Sequence, residues 1–365
     1  MSLPTGGFVA ISVTPLDETG AVDFADLARL MQFYLDCAVD GVALLGVMGE
    51  ANRMTDADAR IVVEHAVSAI DGRVPVIVGV SDPSLQRVES LGRFAQSLGC
   101  AGVLLQPLAG LRGDRAVAGY FRAAAEALGP DIPICVQDFP KANDVHLSLD
   151  AWRMTLEGCP SVVMLKLEDE PGLGKLSAIR AAEAAGMRSV TIFTGNNGIH
   201  LVQELARGSD GAMTGFAFPD VLVKVINLFR GGRTDEAEEL FDRYLPVNRH
   251  ELRTGIGVRK EILRRRGAVR TATARYPAQP LTDIDHAELD GLLARLHRVT
   301  GGNPLFVGEV LRKLAEDGGY ELEEGRWFIR AGRLDGELDL PESVQSLIRE
   351  RLERLSPPAG QVASA

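Results

Sequence analysis

The chain has 365 residues, 46% of them hydrophobic and 24% charged, and a formal net charge of −11. This length and balance suit a globular protein of more than one small unit, whose core needs no disulfides or metals. The negative charge excludes the basic surface of a typical nucleic-acid binder, and no run approaches the roughly 18 apolar residues of a membrane span.

The N-terminus, Met1 to Gly7, lacks a basic stretch followed by an apolar one, so a reduced cytoplasm is the expected compartment. The first apolar run is Phe8–Val13, and an amphipathic stretch over 24–36 follows it. The same alternation continues in order through runs at 41–46, 74–80, 102–105, 134–136, 162–167, 190–194 and 211–214. Helical spacing at 56–70, 85–98 and 116–128 separates several of them. The runs are short, rich in Val, Ile and Leu, and do not alternate in polarity, as strands covered on both faces should read. Eight such units predict an α/β fold, a (β/α)8 TIM barrel over 1–219. An open doubly wound sheet is the weaker reading, because no phosphate-binding glycine loop follows the first strand.

Residues 220–297 read as a C-terminal helical extension of the barrel domain. The basic stretch from Arg249 to Arg275 reads as a solvated helix face or a subunit contact. Beyond it, 298–365 has the character of a small appended α+β tail. Thr300 to Pro304 marks a turn, Tyr320–Leu322 and Trp327–Ile329 suggest a hairpin, and Pro341 opens a last helix.

Function in such a barrel sits at the C-terminal ends of the strands. Lys166 closes the sixth run, where a long charged side chain must enter the barrel mouth or be desolvated. The residues alone leave two readings: an amine freed to attack a carbonyl, or a lysine paired with Glu168 or Asp169. Cys37, Cys100, Cys135 and Cys159 stand singly, and the histidines lack matching ligands, so no metal or other cofactor is expected.

An ordered set of motifs bears on that choice. Ala10 to Pro15 ends in Thr-Pro, Gly46-Val47-Met48-Gly49-Glu50 forms a glycine-flanked loop, and Val74 to Val80 makes a third strand. Val163-Met164-Leu165-Lys166, then Thr194-Gly195-Asn196-Asn197, then Gly208 to Ala212 complete the series. In order and spacing they resemble the dihydrodipicolinate synthase / N-acetylneuraminate lyase family of class I aldolases, over about residues 5–296. The resemblance implies that Lys166 forms a Schiff base with a 2-oxo acid such as pyruvate or a sugar-derived one. It implies substrate contacts at Gly46, Val47, Met48, Gly49, Asn196 and Gly215, and a homo-oligomer, tetramer or dimer. Asn196 and Asn197 fit either substrate hydroxyls or a capping role, and Glu50 fits a structural anchor better than a catalyst.

The departures are as informative. The family's proton-shuttling tyrosine is replaced by Gln137 in Gln137-Asp138-Phe139-Pro140, and an amide is no general acid or base near neutral pH. The family's paired threonines are Val47-Met48, and Pro107-Leu108-Ala109 stands where its partner tyrosine belongs. Asp138 is then the first candidate to move protons, with Glu168, a water or the substrate's own carboxylate behind it; a turn-capping role for Asp138 is the alternative. The expected function is a Schiff-base lyase of aldolase type acting on a 2-oxo acid. A hydro-lyase using the same imine and an inactive binding barrel are the alternatives. The tail, from Thr300 to Val307 and Leu340 to Val344, resembles a helical fragment of LuxR-type regulators and signalling ATPases. Without a Gly-x4-Gly-Lys-[Ser/Thr] motif it brings no ATPase activity.

Overall fold

The computed structural model describes residues 2–170, 172–300, 320–323 and 326–329. The chain divides into two compact units, Met1–Leu281 and Thr282–Ala365.

Eight parallel strands close the first unit into a barrel in chain order. They are β1 (Gly7–Ile11), β2 (Gly41–Leu44), β3 (Val76–Gly79), β4 (Gly102–Leu105), β5 (Ile134–Asp138), β6 (Val162–Leu167), β7 (Thr191–Thr194) and β8 (Gly211–Thr214). Between them run α1 (Phe24–Asp36), α2 (Asp56–Ile70), α3 (Leu85–Ser97), α4 (Asp114–Leu128), a short α5 (Pro140–Asn143), α6 (Leu149–Gly158), α7 (Gly172–Ala184) and α8 (Leu201–Ala206). The expected (β/α)8 architecture is therefore the observed one. Local sequence explains where several helices begin. The side chains of Asp23, Thr55 and Ser148 accept hydrogen bonds from the N–H groups of Asp26, Asp58 and Ala151, supplying partners to first-turn donors that a helix cannot satisfy itself.

Strand pleating sends alternate side chains inward. Val9, Ile11, Ala43, Ile77, Leu104, Cys135, Met164, Phe193 and Met213 form one buried cluster in the lumen, so the barrel centre is packed solid. The other faces of the strands lie under the helices, which is why the strands read as unbroken apolar runs.

Three further helices complete this unit: α9 (Pro219–Arg230), α10 (Thr234–Thr254) and α11 (Ile256–Arg265). Gly255, with φ of 80°, breaks the chain between α10 and α11 in a conformation that favours glycine. Of the basic stretch, expected as a solvated helix face or a subunit contact, three cations are buried instead. Arg259, Lys260 and Arg266 are buried and pair with Glu251 at 2.7 Å, Glu50 at 2.6 Å and Asp220 at 2.9 Å. Arg270 pairs with Asp23 and Asp26 at the start of α1. Arg259, Lys260 and Arg266 face inward because Glu251, Glu50 and Asp220 supply their counter-charges, whereas Arg270 stays largely exposed.

The second unit begins with α12 (Asp283–Thr300), where Thr282 Oγ1 and N–H both donate to Asp285 Oδ2 at 2.7 Å. β9 (Tyr320–Glu323) and β10 (Arg326–Ile329) pair antiparallel, with Leu322 opposite Trp327. The helices expected after Pro304 and from Pro341, and the stretches that resemble the LuxR-type fragment, lie outside the described residues.

Candidate active site

Two residues past the lumen cluster, toward the C-terminal ends of the strands, the pleat brings Gln106, Gln137, Lys166, Gly195 and Gly215 to the barrel mouth. Gln137 and Lys166 are direct partners across β5 and β6.

Lys166 is only 4% exposed, and its Nζ lies 3.0 Å from Glu168 Oε2. The same carboxylate oxygen accepts a hydrogen bond from Gln137 Nε2, while Gln137 Oε1 accepts one from Gln106 Nε2 at 3.0 Å. Gln106 thus donates to Gln137, and Gln137 donates to Glu168. Its other oxygen accepts from the Asn196 backbone N–H at 3.2 Å, and Asn196 Nδ2 donates to the Glu168 carbonyl at 3.1 Å. Gly195 makes the space, since a Cβ there would lie 2.1 Å from Glu168 Cγ. An amine and a carboxylate thus sit in contact, both almost wholly covered by protein.

Asp138 is placed differently. It follows Gln137 on β5 and therefore belongs to the opposite face of the strand. There it forms an ion pair with Lys175 of α7, whose Nζ also lies 2.9 Å from Asp169 Oδ2. Burial pushes the Asp138 carboxyl up to about 6, with Lys175 opposing the rise. The structure therefore brings Lys166, Gln137 and Glu168 together, and directs Asp138 to α7.

Sequence reasoning passed over Gln106. Its signal was the strand parity: Leu104 faces the lumen, so the residue two further on shares that face.

The glycine-flanked loop forms a 3₁₀ turn, Val47–Gly49. Val47 is 43% exposed, whereas Met48 packs against the lumen cluster. Gly46 precedes the turn, and the Gly49 carbonyl accepts from Thr14 Oγ1 at 2.7 Å. Glu50 is the anchor the sequence suggested. It holds Lys260 with one oxygen, and with the other the Arg275 N–H at 2.7 Å and Arg53 at 3.3 Å. Asn196 touches Glu168, as above, and Asn197 turns away toward Glu251 of α10 at 3.0 Å. Gly215 lies against the Arg259 guanidinium, where a Cβ would stand 2.3 Å from Nη1. Among the described residues no cluster of three or more His, Cys, Asp or Glu could hold a metal ion.

The comparisons with known proteins agree with this geometry. The model of the dihydrodipicolinate synthetase family matches residues 4–296. An L-2-keto-3-deoxyarabonate dehydratase of Azospirillum brasilense is 30% identical over 295 residues, covering 80% of this chain and 94% of its own. A 4-hydroxy-tetrahydrodipicolinate synthase of Clostridium tetani is 27% identical over 243 residues, 66% of this chain and 80% of its own. The crystal structure of a dihydrodipicolinate synthase from Rhodopseudomonas palustris superposes with a TM-score of 0.78 at 38% identity, covering 81% of this chain and 99% of that one.

Proposed function

The chain belongs to the dihydrodipicolinate synthetase family, and from that premise we propose that it is a hydro-lyase, removing water from a sugar-derived 3-deoxy-2-oxo acid through an imine at Lys166. As a Schiff-base-forming lyase of this family it acts on a 2-oxo acid. The observation that carries the dehydration reading is the contact of Lys166 Nζ with Glu168, at a site where an amide, Gln137, stands in the place of the family's tyrosine. The dehydratase name of the Azospirillum brasilense relative supports the same class.

The steps follow from the two groups. Glu168 takes a proton from the Lys166 ammonium, and the free amine adds to the substrate's carbonyl carbon. Glu168 returns that proton to the adduct's hydroxyl, and loss of water gives an iminium, which acidifies the adjacent carbon. The Glu168 carboxylate removes a proton there, leaving an enamine. The enamine expels the hydroxyl of the next carbon, and Glu168 returns its proton to that oxygen, so water leaves. Hydrolysis of the unsaturated imine frees Lys166. One carboxylate serves as base and then acid, and the net change is loss of one water. Gln106 and Gln137 hold it as an acceptor and offer amides to substrate hydroxyls, with Met48, Gly46, Gly49 and Gly215 completing the binding surface.

The four free cysteines support a reducing, cytoplasmic setting, and the family resemblance supports a homo-oligomer, dimer or tetramer, without nucleic-acid or membrane partners. The tail from 298 we read as a small docking segment or a fusion remnant, on its resemblance to the LuxR-type fragment.

The test is to incubate the protein with a panel of 3-deoxy-2-oxo sugar acids, add borohydride, and measure intact mass, the modified peptide and the released product. The expected result is a reduced adduct on Lys166 and a product lighter than substrate by one water. Pyruvate plus an aldehyde would establish aldol cleavage instead. A Lys166 adduct without turnover would mark a binding protein, and no adduct with any of the panel would remove the imine altogether.

A further inference from the structure

Glu168 can act as base and then acid only if its carboxylate stays against Lys166 while protons come and go. The turn that grips its other oxygen has an uncommon backbone. Asn196 and Asn197 have φ of 50° and 57°, and Gly198 follows at 66°. Successive left-handed residues persist only where their surroundings over-determine them.

The surroundings are unequal. Toward β6 the turn's hydrogen bonds among the described residues go to Glu168, through the Asn196 N–H and Nδ2. On the far side a buried cluster from α10 and α11 grips Asn197 at every polar atom of its side chain and at its carbonyl. Glu251 Oε1 accepts from Asn197 Nδ2 at 3.0 Å, Arg259 Nη2 donates to Asn197 Oδ1, and Asn248 Nδ2 donates to the Asn197 carbonyl at 2.8 Å. Arg259 Nε donates to Glu251 Oε1 at 2.7 Å, and Glu251 Oε2 accepts from the Ala217 N–H at 3.0 Å, in the loop after β8. The guanidinium reaches this place only because residue 215 is glycine, just as Glu168 fits only because residue 195 is glycine.

As a stability device the cluster is poor. Arg259 Nη1 and Asn248 Oδ1 are buried without hydrogen-bond partners among the described residues. Buried polar groups left unmet are costly, and a buried ion pair adds little net stability even when complete. Its hydrogen bonds converge on the turn that holds Glu168 and on the adjacent loop.

We propose that Arg259 and Glu251 are positioning residues for the reaction: they fix the Asn196–Asn197 turn, and the turn fixes Glu168 against Lys166. This rests on the role given to Glu168 above, and the variants are chosen so that the two can fail separately. Arg259→Lys keeps the charge and removes the planar fork. Asn197→Gly removes the gripped side chain at a position whose backbone glycine adopts readily, so it folds even if Arg259→Lys does not. Each is made in the full chain and compared with Glu168→Gln.

The expected result for both is a borohydride adduct that still forms at Lys166 with pyruvate, since hydride traps the imine however slowly it forms. Alongside it, kcat falls by about 10²-fold, as for a misplaced catalytic group, and the pH–rate profile shifts. KM should stay within about threefold, since binding is not what is lost. Adding Arg259→Lys to Glu168→Gln should cost nothing more, because the two act in series. If Glu168→Gln loses turnover while Arg259→Lys and Asn197→Gly keep the wild-type kcat and pH profile, the positioning role is overturned and Glu168 stands. If Glu168→Gln turns over normally, both fall. Lower melting temperature with unchanged kcat in either variant would also overturn it, since a purely structural cluster would behave that way.

Discussion

Two lysines of this molecule are buried to nearly the same degree and are used in opposite ways. Lys166 is 4% exposed and Lys260 1%. Lys260 Nζ meets Glu50 at 2.6 Å and the Thr273 carbonyl at 2.7 Å, and Glu50 is itself shared with Arg53 and the Arg275 N–H. Burial lowers the Lys260 pKa and Glu50 opposes that, and the amine is held by two fixed partners, Glu50 and the Thr273 carbonyl. The one ion pair Lys166 makes among the described residues is with Glu168, at the barrel mouth. Burial alone therefore does not make a lysine a nucleophile. What distinguishes Lys166 is its place at the end of β6 with Glu168 as its one ion-pair partner among the described residues, which is where the proposed imine would form.

The largest expected effect tests that contrast directly. Lys166→Arg keeps a cation beside Glu168 but has no amine to form an imine, so turnover and the borohydride adduct should both vanish. Lys260→Arg should retain both, as measured by peptide mass after reduction. Next, Glu168→Gln should still form the adduct while kcat drops by about 10²–10⁴-fold, the usual worth of a general acid–base group; Asp138→Asn, on the other face of β5, should leave the adduct in place and lower kcat far less. Lys260→Met sharpens the structural side of the comparison. Stranding Glu50 without its cation should destabilise the fold by about 3–5 kcal/mol in denaturant unfolding, with Lys166 still trapped by substrate in the folded fraction.

A third buried group separates pH from catalysis. Burial pushes the Glu204 carboxyl from 4.5 up to about 7, with a hydrogen bond from Thr194 opposing and the charge of Glu168 adding. The folded chain therefore binds a proton that the unfolded chain has released between those values. That contribution is present below the unfolded pKa and is lost as pH rises through the folded one. Glu204→Gln does not titrate, so relative to wild type it should gain about 3 kcal/mol between about pH 4 and pH 8, read as the difference of two unfolding curves. The smallest effect is at a helix start: Thr55→Ala should cost about 1 kcal/mol by removing the cap on Asp58 N–H.

How much of this was legible beforehand depended on the distance over which a residue is determined. The eight strands and Lys166 at the end of the sixth follow from apolar runs and their order, which are local. Asp138 was the first candidate as proton carrier, ahead of Glu168. Counting parity along β5 places it on the other face, and the pleat itself was readable. The room for Glu168 was not readable, since it depends on Gly195 lying beside it, set by the pairing of Leu167 with Thr194 across β6 and β7. The burial of Lys260 within the basic stretch was hidden for the same reason: the carboxylate that pairs with it lies 210 residues away in the chain, and no local pattern announces it.

The clamp on Asn197 bears on how such enzymes can be recombined. A division after the eighth strand looks like a natural place to graft the barrel of one relative onto the helices of another. In this chain such a graft would separate the turn that holds Glu168 from Glu251 and Arg259, which stand on the far side of the cut. Chimeras joined there would need to carry Asn197, Gly215, Glu251 and Arg259 as one inherited set. On the positioning role proposed for Arg259 and Glu251, second-site changes that retune the turn would fall in α10 and α11, on elements other than the strand that carries Lys166.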